Sequence, residues 1–187
     1  MIIDAASVKR AVQVLRRGGV IAYPTEAVFG FGCDPQNAVA VQRILDLKQR
    51  TADQGLLLIA ADFAQIALYI SADCPRQALQ QAQASWPGPH TWVFPASDRA
   101  PAWIVGDQRG IALRVTAHPV AAALCRAFES ALVSTSANRH GVDPARTATE
   151  VEREFRALLD AIVAGEVGTS KSPTTIRDAI SGEWLRR

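Results

Sequence analysis

Apolar positions along the chain switch repeatedly between helical and strand spacing. Val8, Ala11, Val12 and Leu15 fall on one helical face, Ser7 stands before them as an expected cap, and Arg16-Arg17 followed by Gly18-Gly19 marks the end. Val20-Ile21-Ala22-Tyr23 predicts a strand closed by Pro24, with a glycine-rich bend expected at Gly30-Phe31-Gly32. Val41, Ile44, Leu45 and Leu47, interleaved with polar side chains, predict a helix over Ala38 to Lys48. The unbroken apolar run Leu56-Leu57-Leu58-Ile59 predicts a strand covered on both faces, after which Asp62 opens a short helix.

Further on, a helix near Arg76 to Ala84 precedes the rigid turn Trp86-Pro87-Gly88-Pro89 and the strand Thr91 to Phe94. Ile111 to Val115 predicts another strand, and His118-Pro119 a helix start running to about Ala127. Thr147-Ala148-Thr149-Glu150 fits a capping box for an amphipathic helix ending near Leu159. Thr174 to Arg177 and Glu183 to Arg186 predict a closing hairpin. Strands alternating with helices over the whole length imply an α/β protein built on a mixed sheet, parallel inside and antiparallel at the ends. A chain of 187 residues without a linker or repeat fits one domain, taken as 4–187.

The run Ala131-Leu132-Val133-Ser134-Thr135-Ser136-Ala137-Asn138 breaks this pattern, because an apolar strand ends abruptly in three hydroxyls and an amide. Buried polar side chains need partners, so the cluster is either a Ser/Thr-rich turn or the wall of a polar ligand site.

Composition narrows the function classes. Lys and Arg number 20 against 18 Asp and Glu, a balance too even to mark a nucleic-acid binder, so any basic site is local. Cys33, Cys74 and Cys125 are odd in number and never paired as Cys-x-x-Cys, which disfavours a disulfide framework or structural zinc and fits reduced thiols. Met1-Ile2-Ile3-Asp4 lacks a basic start before an apolar stretch, and no apolar run approaches ~18 residues, so neither export nor a membrane span is expected and a cytoplasmic location is.

Several motifs fail on inspection. Gly165 to Ser172 nearly spells a phosphate-binding loop, but Ser170 replaces the glycine before Lys171, and Pro173 with Thr174-Thr175-Ile176 predicts a strand where such a loop opens a helix. Gly30-x-Gly32 lacks the third glycine of a dinucleotide fingerprint. His90, His118 and His140 have no partner at metal-ligand spacing, so no protein-held metal is expected. There is no Gly-x-Ser-x-Gly elbow and no local signature around Cys33, which removes support for acyl-enzyme chemistry.

What remains is a polar set rich in donors and cations: Thr25, Glu26, Lys48, Arg50, Arg114, Ser134, Ser136, Asn138 and Thr174. Lys48 and Arg50 alone would fit a solvated helix end. Arg114 interrupts an apolar strand and must face a carboxylate, a phosphate or a wet cleft. Cations and hydroxyls without a nucleophile or acid-base dyad suit chemistry on polyphosphates, with the nucleophile supplied by a substrate carboxylate or carbamate.

Tyr23-Pro24-Thr25-Glu26 with Gly30-x-Gly32, Lys48-Gln49-Arg50, Trp86-Pro87-Gly88-Pro89-x-Thr91, Arg114-x-x-x-His118-Pro119 and Ser134-Thr135-Ser136-Ala137-Asn138 occur in the order seen in the YrdC-like family. The chain resembles that family from about Ala6 to Trp184, and its length resembles the single-domain bacterial members. The resemblance implies an open, twisted mixed sheet flanked by helices, with a large electropositive concave cavity. It also implies a nucleotidyltransferase that joins L-threonine, bicarbonate or carbon dioxide, and ATP into L-threonylcarbamoyl-AMP, releasing pyrophosphate and water. The product would pass to threonylcarbamoyl-transfer proteins acting on adenosine 37 of tRNAs that decode ANN codons.

By the same resemblance, Lys48 and Arg50 would contact ATP phosphates, Ser134, Ser136 and Asn138 would hold the nucleotide and the reacting carbamate, and Thr25, Arg114 and Thr174 would seat threonine. Mg²⁺ would arrive with ATP on its phosphate oxygens. Thr51 and Thr116 stand where many members carry proline, and Thr174 where serine is common. A non-catalytic RNA-binding protein of tRNA or rRNA maturation is the competing class, although weak tRNA binding could accompany catalysis; 6% aromatic residues leave little for base stacking.

Overall fold

The computed structural model describes residues 4–108, 110–170, 172 and 174–186. Met1-Ile2-Ile3, Lys171 and Pro173, which entered the sequence reading, lie outside them. Helix α1 (Ala5–Arg16) buries Val8, Ala11, Val12 and Leu15 as predicted, but its cap is Asp4, whose side chain accepts from Ala6 N at 3.0 Å. Ser7 is buried within the first turn. Starting the helix earlier gives it a charged cap, and a carboxylate at a helix N-terminus is favoured by the helix dipole.

Strand β1 (Ile21–Pro24) turns into β2 (Phe29–Gly32), with which it pairs antiparallel, so Gly30-Phe31-Gly32 is strand and not bend. The glycines serve close approach. A Cβ on Gly32 would lie 2.5 Å from the Tyr23 ring and 2.9 Å from Val133 O.

Helix α2 (Ala38–Lys48) has the predicted bounds, capped by Asn37, and ends where Gln49 adopts a left-handed φ of 51°. That residue lets Gln49 N donate to Asp46 O and Arg50 N to Leu45 O, closing the helix with Lys48 on its last turn and Arg50 just beyond it.

The chain continues through β3 (Leu58–Ala60), α3 (Ala64–Ala67), α4 (Arg76–Ala84), β4 (His90–Pro95), α5 (Ala102–Val105), β5 (Gly110–Val115) and α6 (Pro119–Phe128). After α6 come β6 (Leu132–Val133) and β7 (Thr135–Ser136), then α7 (Ala148–Phe155), β8 (Ala161–Ile162), β9 (Thr175–Asp178) and β10 (Trp184–Arg186). Thr147 and Glu150 form the expected capping box on α7, whose predicted last turn tightens into a 3₁₀ turn, Arg156–Leu158.

Two mixed sheets replace the single one expected: β7-β2-β1-β8 and β10-β9-β4-β5-β3-β6. Their parallel pairs, β1 with β8, β3 with β5 and β4 with β9, are interleaved with antiparallel ones, so there is no parallel interior. Parallel neighbours need a crossover, and these pairs are separated by long intervening segments. The connection from β4 to β5 carries just the one-turn helix α5 and returns antiparallel. The 131–138 run, expected as one strand, is divided between the sheets: β6 pairs with β3 and β7 with β2.

The main core gathers Phe29, Phe31, Ile44, Leu58, Phe94 and Phe155, all fully buried, and a second cluster packs α1 and α6 against Tyr23, Ile59 and Leu132. Cys33, Cys74 and Cys125 are buried and unpaired. Among the described residues no helix is long and apolar enough to cross a membrane.

Gly32→Ala drives a methyl into the Tyr23 ring and is expected to destabilise the fold by about 1–3 kcal/mol in denaturant titrations. Thr147→Ala, which removes the exposed cap of α7, should cost about 1 kcal/mol in the same assay.

Candidate active site

A cavity of about 590 Å³ opens where the two sheets meet. Eight of the nine polar side chains singled out from the sequence, Thr25, Lys48, Arg50, Arg114, Ser134, Ser136, Asn138 and Thr174, line it; Glu26 does not. Arg186 from β10 adds a fourth cation, and the described lining contains no Asp or Glu. The positive bias is therefore local, set against a formal net charge of +2.

Lys48 ends α2 with its ammonium turned inward. Its Nζ lies 2.6 Å from Ser136 O, 3.2 Å from Ser136 Oγ, 3.1 Å from Asn138 O and 2.6 Å from Asn138 Oδ1. Ser136 Oγ in turn donates to Asn138 Oδ1 at 2.7 Å, and Asn138 Nδ2 donates to Val142 O at 2.6 Å. One cation thus ties the helix end to the β7 segment through neutral acceptors, which orient its charge without cancelling it. Burial, with Arg50 adding to it, pulls the Lys48 ammonium down to about 8.

Arg50 Nη2 donates to the carbonyls of Gln54 at 3.0 Å and Gly55 at 2.9 Å, beyond the 3₁₀ turn Ala52–Gln54 that Thr51 precedes. Ser134 spans the gap between β6 and β7, with its N–H donating to Leu57 O at 2.8 Å. The Thr25 hydroxyl donates to Val28 O at 2.7 Å inside the β1–β2 connection.

Arg114 differs from the other cations. It is 3% exposed, and its Nη2 stands 3.3 Å from Glu26 Oε2, so a carboxylate meets it, one of the three surroundings the sequence allowed. Its Nη1 donates to Thr174 Oγ1 at 2.7 Å. Arg186 holds the same threonine from the other side, Nε and Nη2 donating to Thr174 O at 3.0 and 2.7 Å. The extra methyl of Thr174 therefore leaves its hydroxyl fully engaged.

Glu26 Oε1 accepts from Thr116 Oγ1 at 2.6 Å and from Ala117 N at 3.2 Å. Burial raises the Glu26 pKa, but Arg114, followed by the Thr116 hydrogen bond, outweighs it and holds the carboxyl below the usual range. His118 caps α6, with Nδ1 accepting from Ala121 N at 3.5 Å, which leaves the proton on Nε2 to donate to Glu166 O at 3.0 Å. Burial keeps its pKa under the ordinary histidine value.

Sequence reasoning gave no site role to Arg186, Thr116 or His118, although it placed His118 at the start of α6, where it stands. Arg186 sits on an exposed strand that looks like surface, and Thr116 and His118 act behind the cavity wall. The signal for both was the buried Arg114, which required a counter-charge and a scaffold for it.

Among the described residues no group of three or more His, Cys, Asp or Glu side chains could hold a metal ion. Fold and lining together define an α/β protein with a cationic cavity whose described residues include no carboxylate, shaped by hydroxyls and backbone carbonyls for an anionic ligand.

Known proteins share this fold. The Sua5/YciO/YrdC family model, described as "Telomere recombination", matches residues 13–187. The threonylcarbamoyl-AMP synthase of Halorhodospira halophila is 57% identical over 96% of this chain and 94% of its own, and that of Stenotrophomonas maltophilia 51% identical over 94% and 95%. Among solved structures, P. abyssi Sua5 complexed with L-threonine superposes with a TM-score of 0.88 at 31% identity, covering 95% of this chain and 52% of that one. The chain thus spans about half the length of Sua5. E. coli YciO superposes with a TM-score of 0.82 at 25% identity, covering 96% and 90%. The chain belongs to the Sua5/YciO/YrdC family.

Because the Lys48 ammonium has a pKa of about 8, its charge is lost as pH rises through that value. Pyrophosphate affinity, measured by isothermal titration calorimetry, should therefore weaken between pH 7 and 9. Equal affinity across that range would exclude Lys48 as a charge-bearing anion ligand.

Proposed function

We infer that this chain is an ATP-dependent L-threonylcarbamoyl-AMP synthase, a nucleotidyltransferase that condenses L-threonine, bicarbonate or carbon dioxide, and ATP. The observation that carries this reading is the convergence of four of the five separated motifs, those around Thr25, Lys48, Arg114 and Ser134, on one cationic cavity whose described lining holds no carboxylate. The 57% identity to a synthase, over 96% of this chain and 94% of that one, supports it, as does likeness to a Sua5 structure complexed with L-threonine.

In this reading threonine carbamate is the nucleophile. The threonine amine and bicarbonate form the carbamate with loss of water. One of the carbamate oxygens then attacks the α-phosphorus of ATP, the bond from that phosphorus to the α–β bridging oxygen breaks, and pyrophosphate leaves. Lys48 and Arg50 hold phosphate oxygens and meet the negative charge that builds up on the leaving group. Ser134, Ser136 and Asn138 supply hydroxyl and amide groups to the nucleotide and the carbamate, while Thr25, Arg114 and Thr174 seat the amino acid. Such preorganised donors act most strongly in a site that excludes water.

Mg²⁺ enters as part of the nucleotide. The lining offers ammonium, guanidinium and hydroxyl groups, which suit phosphate oxygens and not a bare divalent cation. The intermediate then goes to threonylcarbamoyl-transfer proteins for N6-threonylcarbamoyladenosine formation at position 37 of ANN-decoding tRNAs. The reaction belongs in the cytoplasm, where those substrates are.

Purified protein is expected to release pyrophosphate from MgATP when both threonine and bicarbonate are present. Release indifferent to threonine, or steep salt-dependent RNA binding with no turnover, would sink the synthase reading. Lys48→Ala and Ser136→Ala should each lower kcat/KM by roughly 100-fold, about 3 kcal/mol of transition-state stabilisation, with the fold retained by circular dichroism. Near-wild-type turnover in a folded variant would remove that residue from its assigned role.

A further inference from the structure

Glu26 is buried, at 7% exposure, yet it does not line the cavity. It follows β1 of the four-stranded sheet, whereas Arg114 lies in β5 of the six-stranded one, so their ion pair bridges the two sheets. Two hydrogen bonds fix the carboxylate and a third holds its backbone: Thr116 Oγ1 and Ala117 N donate to Oε1, and the Glu26 main-chain carbonyl accepts from Ser170 N at 3.1 Å. Gly168 packs so closely that a Cβ there would lie 2.6 Å from Glu26 O. Thr116 is itself oriented, since its hydroxyl accepts from His118 N at 3.1 Å while donating to Glu26.

With the carboxylate fixed, the guanidinium has little freedom. Nη2 faces Glu26, and Nη1 is directed at the Thr174 hydroxyl. A buried ion pair contributes little net stability compared with apolar packing, so geometry is its more telling consequence. Proline at position 116 would supply no hydroxyl; threonine adds a directed hydrogen bond to the carboxylate.

We propose that Glu26 and Thr116 are positioning residues for the synthase reaction: together they fix the orientation of Arg114, and through it Thr174, at the amino-acid end of the cavity. This rests on the synthase reading. The pair acts through Arg114 and touches no substrate. It also neutralises that guanidinium, so Arg114 guides threonine by direction of its N–H groups, while net attraction for phosphates comes from Lys48 and Arg50.

The test compares threonine and ATP KM values, from pyrophosphate release, for wild type, Thr116→Val, Thr116→Ser and Glu26→Gln. Thr116→Val keeps the side-chain shape and removes the donor; it should raise the threonine KM roughly tenfold and leave the ATP KM within about twofold, as expected for one lost hydrogen bond to a charged group. Thr116→Ser, which keeps the hydroxyl, should restore most of the threonine affinity. Glu26→Gln should repeat the selective rise, and the double variant should fall short of the product of the two.

A folded Thr116→Val enzyme with an unchanged threonine KM, or with both KM values raised alike, overturns the proposal. Should that variant not fold, Glu26→Gln is judged by the same criteria. Wild type lacking threonine-dependent release would overturn the synthase reading itself, whereas active wild type with unselective variants overturns the positioning role alone.

Discussion

The crossing of the chain from one sheet to the other at Ser134 is the constraint on which the rest depends. Leu132–Val133 completes the six-stranded sheet and Thr135–Ser136 the four-stranded one, leaving one residue to make the passage. Backbone groups at such a seam must still be paired. Val133 N donates to Cys33 O, Ser134 N to Leu57 O and Ala137 N to Phe29 O, so the crossing is stitched to both sheets. The sheets cannot close over each other there, and the notch between them is the cavity. Gly32 belongs to the same constraint, because a side chain at that position would push Tyr23 and Val133 apart.

The end of α2 answers the seam from the opposite side. Lys48 reaches two carbonyls, a hydroxyl and an amide oxygen of the 136–138 segment, four acceptors for three protons. The left-handed Gln49 turns the chain directly after it, so Arg50 comes to rest on the Gln54 and Gly55 carbonyls. A helix that ended two residues later would place neither cation here. Sequence spacing, helix termination and site geometry are in this case one fact.

Much of this was legible beforehand, and the gaps have physical causes. The bounds of α2 and α4 and the capping box of α7 follow from local sequence pattern. Arg114 and the 134–138 cluster stood out as polar breaks in apolar runs, whereas Lys48 and Arg50 alone fitted a solvated helix end and were joined to the site by the family resemblance. The division of 131–138 between two sheets was hidden, since it depends on pairing with β3 and β2, far away in sequence. Gly30 and Gly32 were expected in a bend because glycine has two uses, and local pattern does not separate turn from close approach. Arg186 escaped notice for a related reason: β10 is exposed at Trp184 and Leu185, and only pairing with β9 turns its last described residue towards Thr174.

The electrostatics of the cavity follow from which acceptors its cations are given. Lys48 and Arg50 rest on neutral oxygens, and Arg186 on the backbone and hydroxyl of Thr174. Dipoles satisfy the N–H groups yet leave the net charge intact, and burial makes that charge harder to keep, as the lowered Lys48 pKa records. An arriving polyphosphate relieves this strain, so desolvation that destabilises the empty site becomes binding energy for an anion. Arg114 is the exception, already neutralised by Glu26. A second anionic ligand beside the phosphates would otherwise be drawn indiscriminately to any of the four cations; neutralising one of them leaves it to select by shape and hydrogen-bond direction. The two ends of the cavity can thus hold chemically distinct anions, although every charged side chain among its described lining residues is positive.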